Sequence, residues 1–118
     1  MADDVFKFTL EEIPSAGPGA WLLRPRGEIA YSEAPIFRST IKSVFDKGPR
    51  KFVVDMSGID YMNTPGLAAL VEALQTARRN QIKFILFGLN ERVMAIFEIA
   101  RLNRVFDIKP DEASAIAG

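Results

Sequence analysis

The residues best suited to regulated chemistry are a threonine hydroxyl and its neighbours in the run Asn63-Thr64-Pro65-Gly66. Threonine is a preferred N-cap residue of α-helices, and proline suits the first helical position because its missing N–H leaves nothing unpaired there. The pattern therefore predicts that Thr64 caps a helix beginning at Pro65. The free amides of such a first turn carry partial positive charge, so an anion attached at Thr64 would be stabilised.

A purely structural role for Thr64 is the alternative, because Thr-Pro is common at helix starts. An N-cap of this kind contributes about 1 kcal/mol to its helix. The two roles are compatible, since a hydroxyl that caps a helix can also be modified.

The composition excludes several classes of enzyme. The 118 residues include no cysteine and no histidine, which removes Cys/His metal centres, cysteine nucleophiles, Ser-His-Asp triads and disulfides. Fifteen lysines and arginines balance fifteen aspartates and glutamates, so no strong field attracts nucleic acid or an anionic membrane. An enzyme would have to work with carboxylates, lysines and hydroxyls alone. We expect no Cys/His metal site and no nucleic-acid partner.

Three carboxylates, Asp55, Asp60 and Glu91, could lie near one edge of the sheet and raise the question of a metal site or a carboxylate pair. Their spacing does not match a calcium-binding loop. We interpret them as solvated carboxylates at strand ends and turns.

Three glycines, Gly58, Gly66 and Gly88, lie near the same segments. They form neither G-x-x-x-x-G-K-[ST] nor G-x-G-x-x-G, the two loops that cradle phosphates. The chain is therefore not expected to hydrolyse a nucleotide by itself.

A set of apolar residues surrounds two neighbouring strand-to-helix connections, next to Thr64. Exposed, these side chains would form a patch for docking a partner, and methionine suits adaptable interfaces; otherwise they belong to the core. The six residues are Ile59, Tyr61, Met62, Leu89, Val93 and Met94.

The hydrophobic pattern predicts the elements that position these residues. Phe52-Val53-Val54 is typical of a buried strand, and the segment that follows is interpreted as a turn leading into the helix after Pro65. The run Val5 to Leu10 alternates like a half-buried strand, and Ser32 is a candidate N-cap for an earlier helix. Strand–helix alternation after residue 28 predicts an α/β fold, with a mixed, mostly parallel sheet of four to five strands and about four helices.

The domain organisation is predicted to be simple. Residues 1–118 are expected to form one domain, with a core over about 5–108 and a short C-terminal helix or tail over 109–118. The acidic start and the absence of an apolar run near 18 residues argue against a signal peptide or membrane insertion. We expect a cytoplasmic protein, and the sequence leaves formation of a homodimer open.

This combination of strand, short turn, small polar pair and glycine opening an amphipathic helix resembles the STAS domain family. The similarity extends from about Phe6 to Ile108, including Gly27-Glu28-Ile29 and the run from Phe84 to Leu89. The family motif is Asp-Ser-x-Gly, and the matching residues here are Asn63-Thr64-Pro65-Gly66. Asn63 and Thr64 thus replace the usual Asp and Ser.

The resemblance implies a function in transcription regulation. In bacterial members of the family, the motif serine is phosphorylated by an anti-sigma factor kinase, and the matching residue here is Thr64. The chain would then be an anti-sigma factor antagonist, which is not an enzyme and has no cofactor or metal. It would bind an anti-sigma factor serine/threonine kinase when unphosphorylated. Phosphorylation would release it, a PP2C-type phosphatase would reset it, and any ATP would be bound by the partner kinase.

Two other functions compete with this interpretation. The first is a non-switching STAS interaction module, such as a subunit associated with a transporter ATPase or a component of a signalling assembly, which Asn63 favours. The second is a small enzyme or nucleotide-binding protein, which tight binding of ATP or GTP would indicate.

Overall fold

The computed structural model describes residues 7–118, which form a mixed six-stranded sheet with four α-helices. The strands are β1 (Lys7–Glu12), β2 (Ala20–Ile29), β3 (Lys51–Asp55), β4 (Ile59–Met62), β5 (Lys83–Phe87) and β6 (Asp107–Lys109). The helices are α1 (Ala34–Phe45), α2 (Thr64–Arg79), α3 (Glu91–Ile99) and α4 (Glu112–Ala117), and a 3-10 turn spans Pro14–Ala16. The predicted α/β class is confirmed, with one strand more than expected.

The long strand β2 organises the sheet, whose order is β1-β2-β3-β5-β6. Strand β1 pairs antiparallel with one edge of β2. On the other edge, the first half of β2 pairs parallel with β3, and its last residues pair parallel with β4. The register shifts between Gly27 and Glu28, where the pairing with β4 begins. One strand thus carries two partners in succession along the same edge.

Helices α1, α2 and α3 cover one face of the sheet and enclose the larger core. Aromatic rings span this core in a chain of edge-on and tilted contacts with centroid separations of 5.2–6.4 Å. Such contacts contribute beyond simple burial of apolar area. The rings belong to Phe45, Phe52, Phe84, Phe106 and Phe97.

The opposite face is covered by α4, whose Ala115 is completely buried against the sheet. Arg24 joins this helix to the strands, because its guanidinium donates to Glu112 at 2.9 Å, Asp55 at 2.8 Å and Glu11 at 3.0 Å. The hydrogen bond to Glu112 is the largest cause of a raised Arg24 pKa.

Lys51 holds the end of the same helix, since its Nζ donates to the carbonyl oxygens of Ile116 and Gly118. Burial is the main cause that lowers the pKa of Lys51, followed by the charges of Lys83 and Arg50.

Two local predictions need correction. The first strand begins at Lys7 and is mostly exposed rather than half-buried, with Phe8 at 44%; Val5 lies outside the described residues. Ser32 does not cap α1, whose N-cap is Glu33. The Ser32 hydroxyl instead donates to the Glu33 carboxylate, and this hydrogen bond is the main cause that lowers the pKa of Glu33. The same carboxylate also accepts from the Ala30 amide.

Within residues 7–118, no helix is both long enough and apolar enough to cross a membrane.

Helices α2 and α3 end in the same way, with a non-glycine residue in the left-handed conformation. Gln81 has φ 57° and Arg101 has φ 59°. After α2, the amide of Ile82 donates to Ala77 at 2.8 Å and that of Gln81 to Arg78 at 3.3 Å, the two bonds of a Schellman motif. This position normally favours glycine, because a Cβ is strained there.

We therefore expect Gln81→Gly to raise the free energy of unfolding by about 1 kcal/mol, because the strain at φ 57° disappears. Urea denaturation measures the change, and Gln81→Ala, which keeps the Cβ, should give no gain. An unchanged or lower stability for Gln81→Gly would contradict the expectation.

Candidate functional site

The site is built where β4 ends and α2 begins. Strand β4 runs parallel to the last residues of β2. The main-chain N–H of Asn63 extends this pairing by donating to the Ile29 carbonyl at 3.0 Å. The sequence predicted a turn over this whole segment, which is wrong for Ile59–Met62. These residues form a strand because they pair with Gly27, Glu28 and Ile29 of β2. Ile59 and Met62 are completely buried, whereas Asp60 faces solvent.

The N-cap of α2 is Asn63 rather than Thr64. Asn63 has extended backbone angles, φ −99° and ψ −174°, and the helix begins at Thr64, with Pro65 as the second helical residue. The predicted boundary was therefore one residue too late. Asparagine and threonine are both good caps, and contacts with β2 decide between them.

The Asn63 amide group links the helix to the end of β2. With Oδ1 towards Gly66, it accepts a long hydrogen bond of 3.5 Å from the Gly66 amide. With the amide reversed, Nδ2 donates to the Ile29 carbonyl at 3.2 Å and Oδ1 accepts from the Tyr31 amide at 3.1 Å. We assign the second orientation because it satisfies both halves of the amide with shorter bonds.

Displacement from the cap leaves the Thr64 side chain exposed, with no hydrogen bond to any residue from 7 to 118. It lines an open hollow of about 490 Å³ whose walls come from β4, α3 and the segment after β2. The other lining residues are Tyr31, Tyr61, Met62, Asn63 and Ile96. The hydroxyl is thus accessible to another protein.

Tyr31 is the most conspicuous side chain beside Thr64, and sequence reasoning missed it. It is 76% exposed and lines both the Thr64 hollow and a second one of about 300 Å³, formed with Pro35, Pro65 and Ala68 among others. A single tyrosine in the short connection between a strand and a helix carries no periodic signal. The fold alone brings it to α2.

Gly66 allows α2 to start this close to β2. A Cβ at this position would lie 2.8 Å from Cγ2 of Ile29 and 3.3 Å from Cβ of Met62. Both neighbours are completely buried and have no room to move. The glycine is therefore required by the close approach of the helix to the strand.

The six residues of the predicted docking patch differ in their exposure. Ile59, Met62 and Val93 are 0% exposed, so these three belong to the core. They are buried because β4 and the first turn of α3 pack inward against the main core. Tyr61, Leu89 and Met94, the remaining three, are partly exposed.

Tyr61 and the pair Leu89 and Met94 lie in separate depressions. Tyr61 lines the Thr64 hollow, whereas Leu89 and Met94 line another of about 310 Å³ together with Ile108 and Pro110. The structure thus divides the exposed half of the predicted patch between two places.

Asn90 fixes the position of α3 against β4. Its Oδ1 caps the helix by accepting from the Val93 amide at 2.8 Å, and its Nδ2 donates to the Ile59 carbonyl at 3.0 Å. One asparagine thus holds a helix start and a strand together, as Asn63 does for α2 and β2.

The interpretation of the three carboxylates as solvated groups is wrong for Asp55. Asp55 is buried and accepts from Arg24 and from the amide and hydroxyl of Ser57, whereas Asp60 and Glu91 are exposed. In the part of the chain from residue 7 onward, no group of three potential ligands could hold a metal ion.

The family model for the STAS domain matches residues 8–115. The chain belongs to the STAS domain family. The identification rests on almost the whole described chain, and it includes the Asn63–Gly66 turn.

Named relatives and solved structures of this family are similar to the chain. The anti-sigma-B factor antagonist of Listeria monocytogenes is 31% identical over 83 residues, covering 70% of this chain and 73% of that protein. An anti-sigma factor antagonist from Mycobacterium paratuberculosis has the same fold, with a TM-score of 0.85, 19% identity, and coverage of 97% and 93%. The Bacillus cell fate determinant SpoIIAA in its phosphorylated form gives a TM-score of 0.71 at 16% identity, with coverage of 94% and 97%.

We expect Gly66→Ala to lower the free energy of unfolding by about 1–3 kcal/mol, because the new methyl overlaps Ile29. Within an ordinary helix the same change stabilises by roughly 1 kcal/mol, so the sign identifies the cause. Urea denaturation provides the measurement. Stabilisation would mean that α2 does not approach β2 this closely.

Asn63→Asp should lower the free energy of unfolding by about 1 kcal/mol, because a carboxylate cannot donate to the Ile29 carbonyl. The exposed Asn103→Asp is the matched control and should have little effect. If Asn63→Asp is neutral or stabilising in urea denaturation, the amide serves only as a cap to Gly66, where aspartate performs equally well.

Proposed function

We propose that this chain is an anti-sigma factor antagonist whose binding is controlled by phosphorylation of Thr64. The unmodified form binds an anti-sigma factor of the serine/threonine-kinase type and thereby frees a sigma factor. One observation carries the proposal: the hydroxyl at the family's motif position is exposed and has no hydrogen bond within the described chain. The names of its relatives support the same class of function.

The proposed modification is a transfer of one phosphoryl group. The partner kinase binds ATP, and the Thr64 oxygen attacks the γ-phosphorus, loses its proton and leaves ADP behind. A PP2C-type phosphatase reverses the change with water, giving inorganic phosphate and the free hydroxyl. This chain has no phosphate-cradling sequence motif, so its proposed role is that of substrate in both reactions. In this proposal it acts in the cytoplasm, together with its partners.

Phosphorylation at this position alters the surface more than the fold. A phosphate adds about −1.5 to −2 charges and three acceptor oxygens. Because Thr64 is the first residue of α2, free amides of the first turn lie beside the added charge and offset it. Since the side chain is already exposed, nothing in the core must rearrange.

The partner, in contrast, would have to cover a hydrated anion. Withdrawing such a charge from water without compensation is unfavourable. A loss of roughly 3 kcal/mol in binding energy weakens affinity about a hundredfold. Association is thus controlled without unfolding either protein.

The docking surface that we propose is centred on Tyr31, beside Thr64. An exposed tyrosine flanked by two hollows has the character of an interface anchor, since aromatic side chains dominate binding energy at the centres of interfaces. Tyr61 and Ile96 extend the surface on one side of Thr64, and Pro65 on the other. Leu89 and Met94 remain candidates for its outer edge.

We expect Thr64→Asp to weaken binding to the kinase-type anti-sigma factor of the source organism at least tenfold, measured by calorimetry with purified proteins. Thr64→Val, which keeps the shape and removes the hydroxyl, should bind normally but accept no phosphate. Asn103→Asp adds the same charge at an exposed residue beyond the far end of α3 and serves as the control. Equal affinity of Thr64→Asp and wild type, or a kinase that leaves Thr64 unmodified, would refute the proposal.

The rival proposal is a STAS interaction module that does not switch. It is favoured by Asn63, which stands where the family motif has aspartate and whose amide is engaged with Ile29 and Tyr31. An affinity pull-down from the source cells separates the two, because a transporter ATPase in the eluate supports the module and a kinase-type anti-sigma factor supports the switch.

A further inference from the structure

An arginine lies over the ring of Tyr61, one of the residues that line the Thr64 hollow. The guanidinium carbon of Arg92 lies 5.5 Å from the centroid of the Tyr61 ring. Tyr61 and Thr64 line the same hollow, as does Ile96, which is one helical turn after Arg92 on the same side of α3. Arg92 is not itself a lining residue, but it contacts a ring that borders the space into which a substituent on Thr64 would extend.

Arg92 has no stronger interaction that would hold it on the ring. Its side chain is exposed, and no carboxylate of residues 7–118 lies within 4.0 Å of its guanidinium. A cation over an exposed aromatic face is a weak attraction. Hydrogen bonds from arginine to phosphate are charge-assisted and often bidentate, and they are considerably stronger.

We propose that Arg92 leaves the Tyr61 ring when Thr64 is phosphorylated and binds the phosphate, which uncovers the ring. The inference rests on the proposed function only in that the modification occurs at Thr64. The movement is a change of side-chain rotamer on a long flexible chain, and the backbone of α3 stays in place.

The consequence for a partner is twofold. One arginine cancels one charge of a group that carries about −1.5 to −2, so the site still repels a partner that requires a neutral surface. At the same time the Tyr61 face becomes accessible in the phosphorylated form. The two forms would thus differ in apolar surface as well as in charge, which gives a phosphatase a feature to recognise.

The test installs phosphothreonine directly at residue 64 of the full chain by genetic-code expansion, so that no kinase is needed. Phosphorus NMR then follows the second ionisation of the phosphate as the pH is raised. The variants are Arg92→Gln, Arg92→Lys, and Arg104→Gln, which removes an exposed arginine beyond the far end of α3. The charges of Asp60 and Glu91 are present in every variant, so their influence cancels from the comparison.

We expect the phosphate pKa to be higher in Arg92→Gln than in wild type by about half a unit or more, because a bound cation favours the dianion. Arg104→Gln should match wild type, and Arg92→Lys should fall between, because it keeps the charge but loses the bidentate geometry. The side-chain resonances of Arg92 should also shift when phosphothreonine replaces threonine.

An Arg92→Gln phosphate that titrates as in wild type, or Arg92 resonances that do not move, would overturn the inference. Since Arg92 is exposed, the variant should remain folded, and its amide spectrum verifies this. The proposed function fails separately: if phosphothreonine at residue 64 leaves partner binding unchanged, the switch is refuted, whereas the comparison of phosphate pKa values still decides the role of Arg92.

Discussion

The parallel pairing of β4 with the last residues of β2 is the constraint on which the site depends. The short strand β4 is held in place by its buried ends, Ile59 and Met62, and by the hydrogen bond from Asn90, the N-cap of α3. Where β4 ends, α2 must begin, and Asn63 ties that junction back to β2. Thr64 directly follows this junction, and its exposed hydroxyl makes no hydrogen bond with the described residues that position it.

Long, strongly patterned elements were predictable from the sequence, whereas the short strand was not. The continuous apolar run Phe52-Val53-Val54 identifies a buried strand. The apolar residues Leu67, Leu70, Val71, Leu74 and Ala77 recur at helical spacing and identify the helix that follows. Strand β4 has four residues, two of them buried and two at least partly exposed. A pattern that short is indistinguishable from a turn, because its pairing is fixed by Gly27 and Ile29, some thirty residues earlier.

In the site too, the features that depend on distant residues were not predictable from the sequence. Thr64 was predicted as the exposed hydroxyl at a helix start, but its role as cap was not correct, since two adjacent residues of suitable type compete and distant backbone groups of Ile29 and Tyr31 decide. The sequence identifies the apolar residues around Thr64, but their burial depends on the direction in which each side chain faces after folding. Ile59, Met62 and Val93 face the core and are completely buried.

The packing of α4 on the back of the sheet has a practical consequence. Gly118 is held beside Lys51 and Lys109, on the side of the molecule away from the start of α2. A tether or fluorophore joined there would leave the Tyr31 surface open to solution. Because the chain has no native cysteine, one engineered thiol at that end would give uniform orientation on a sensor chip.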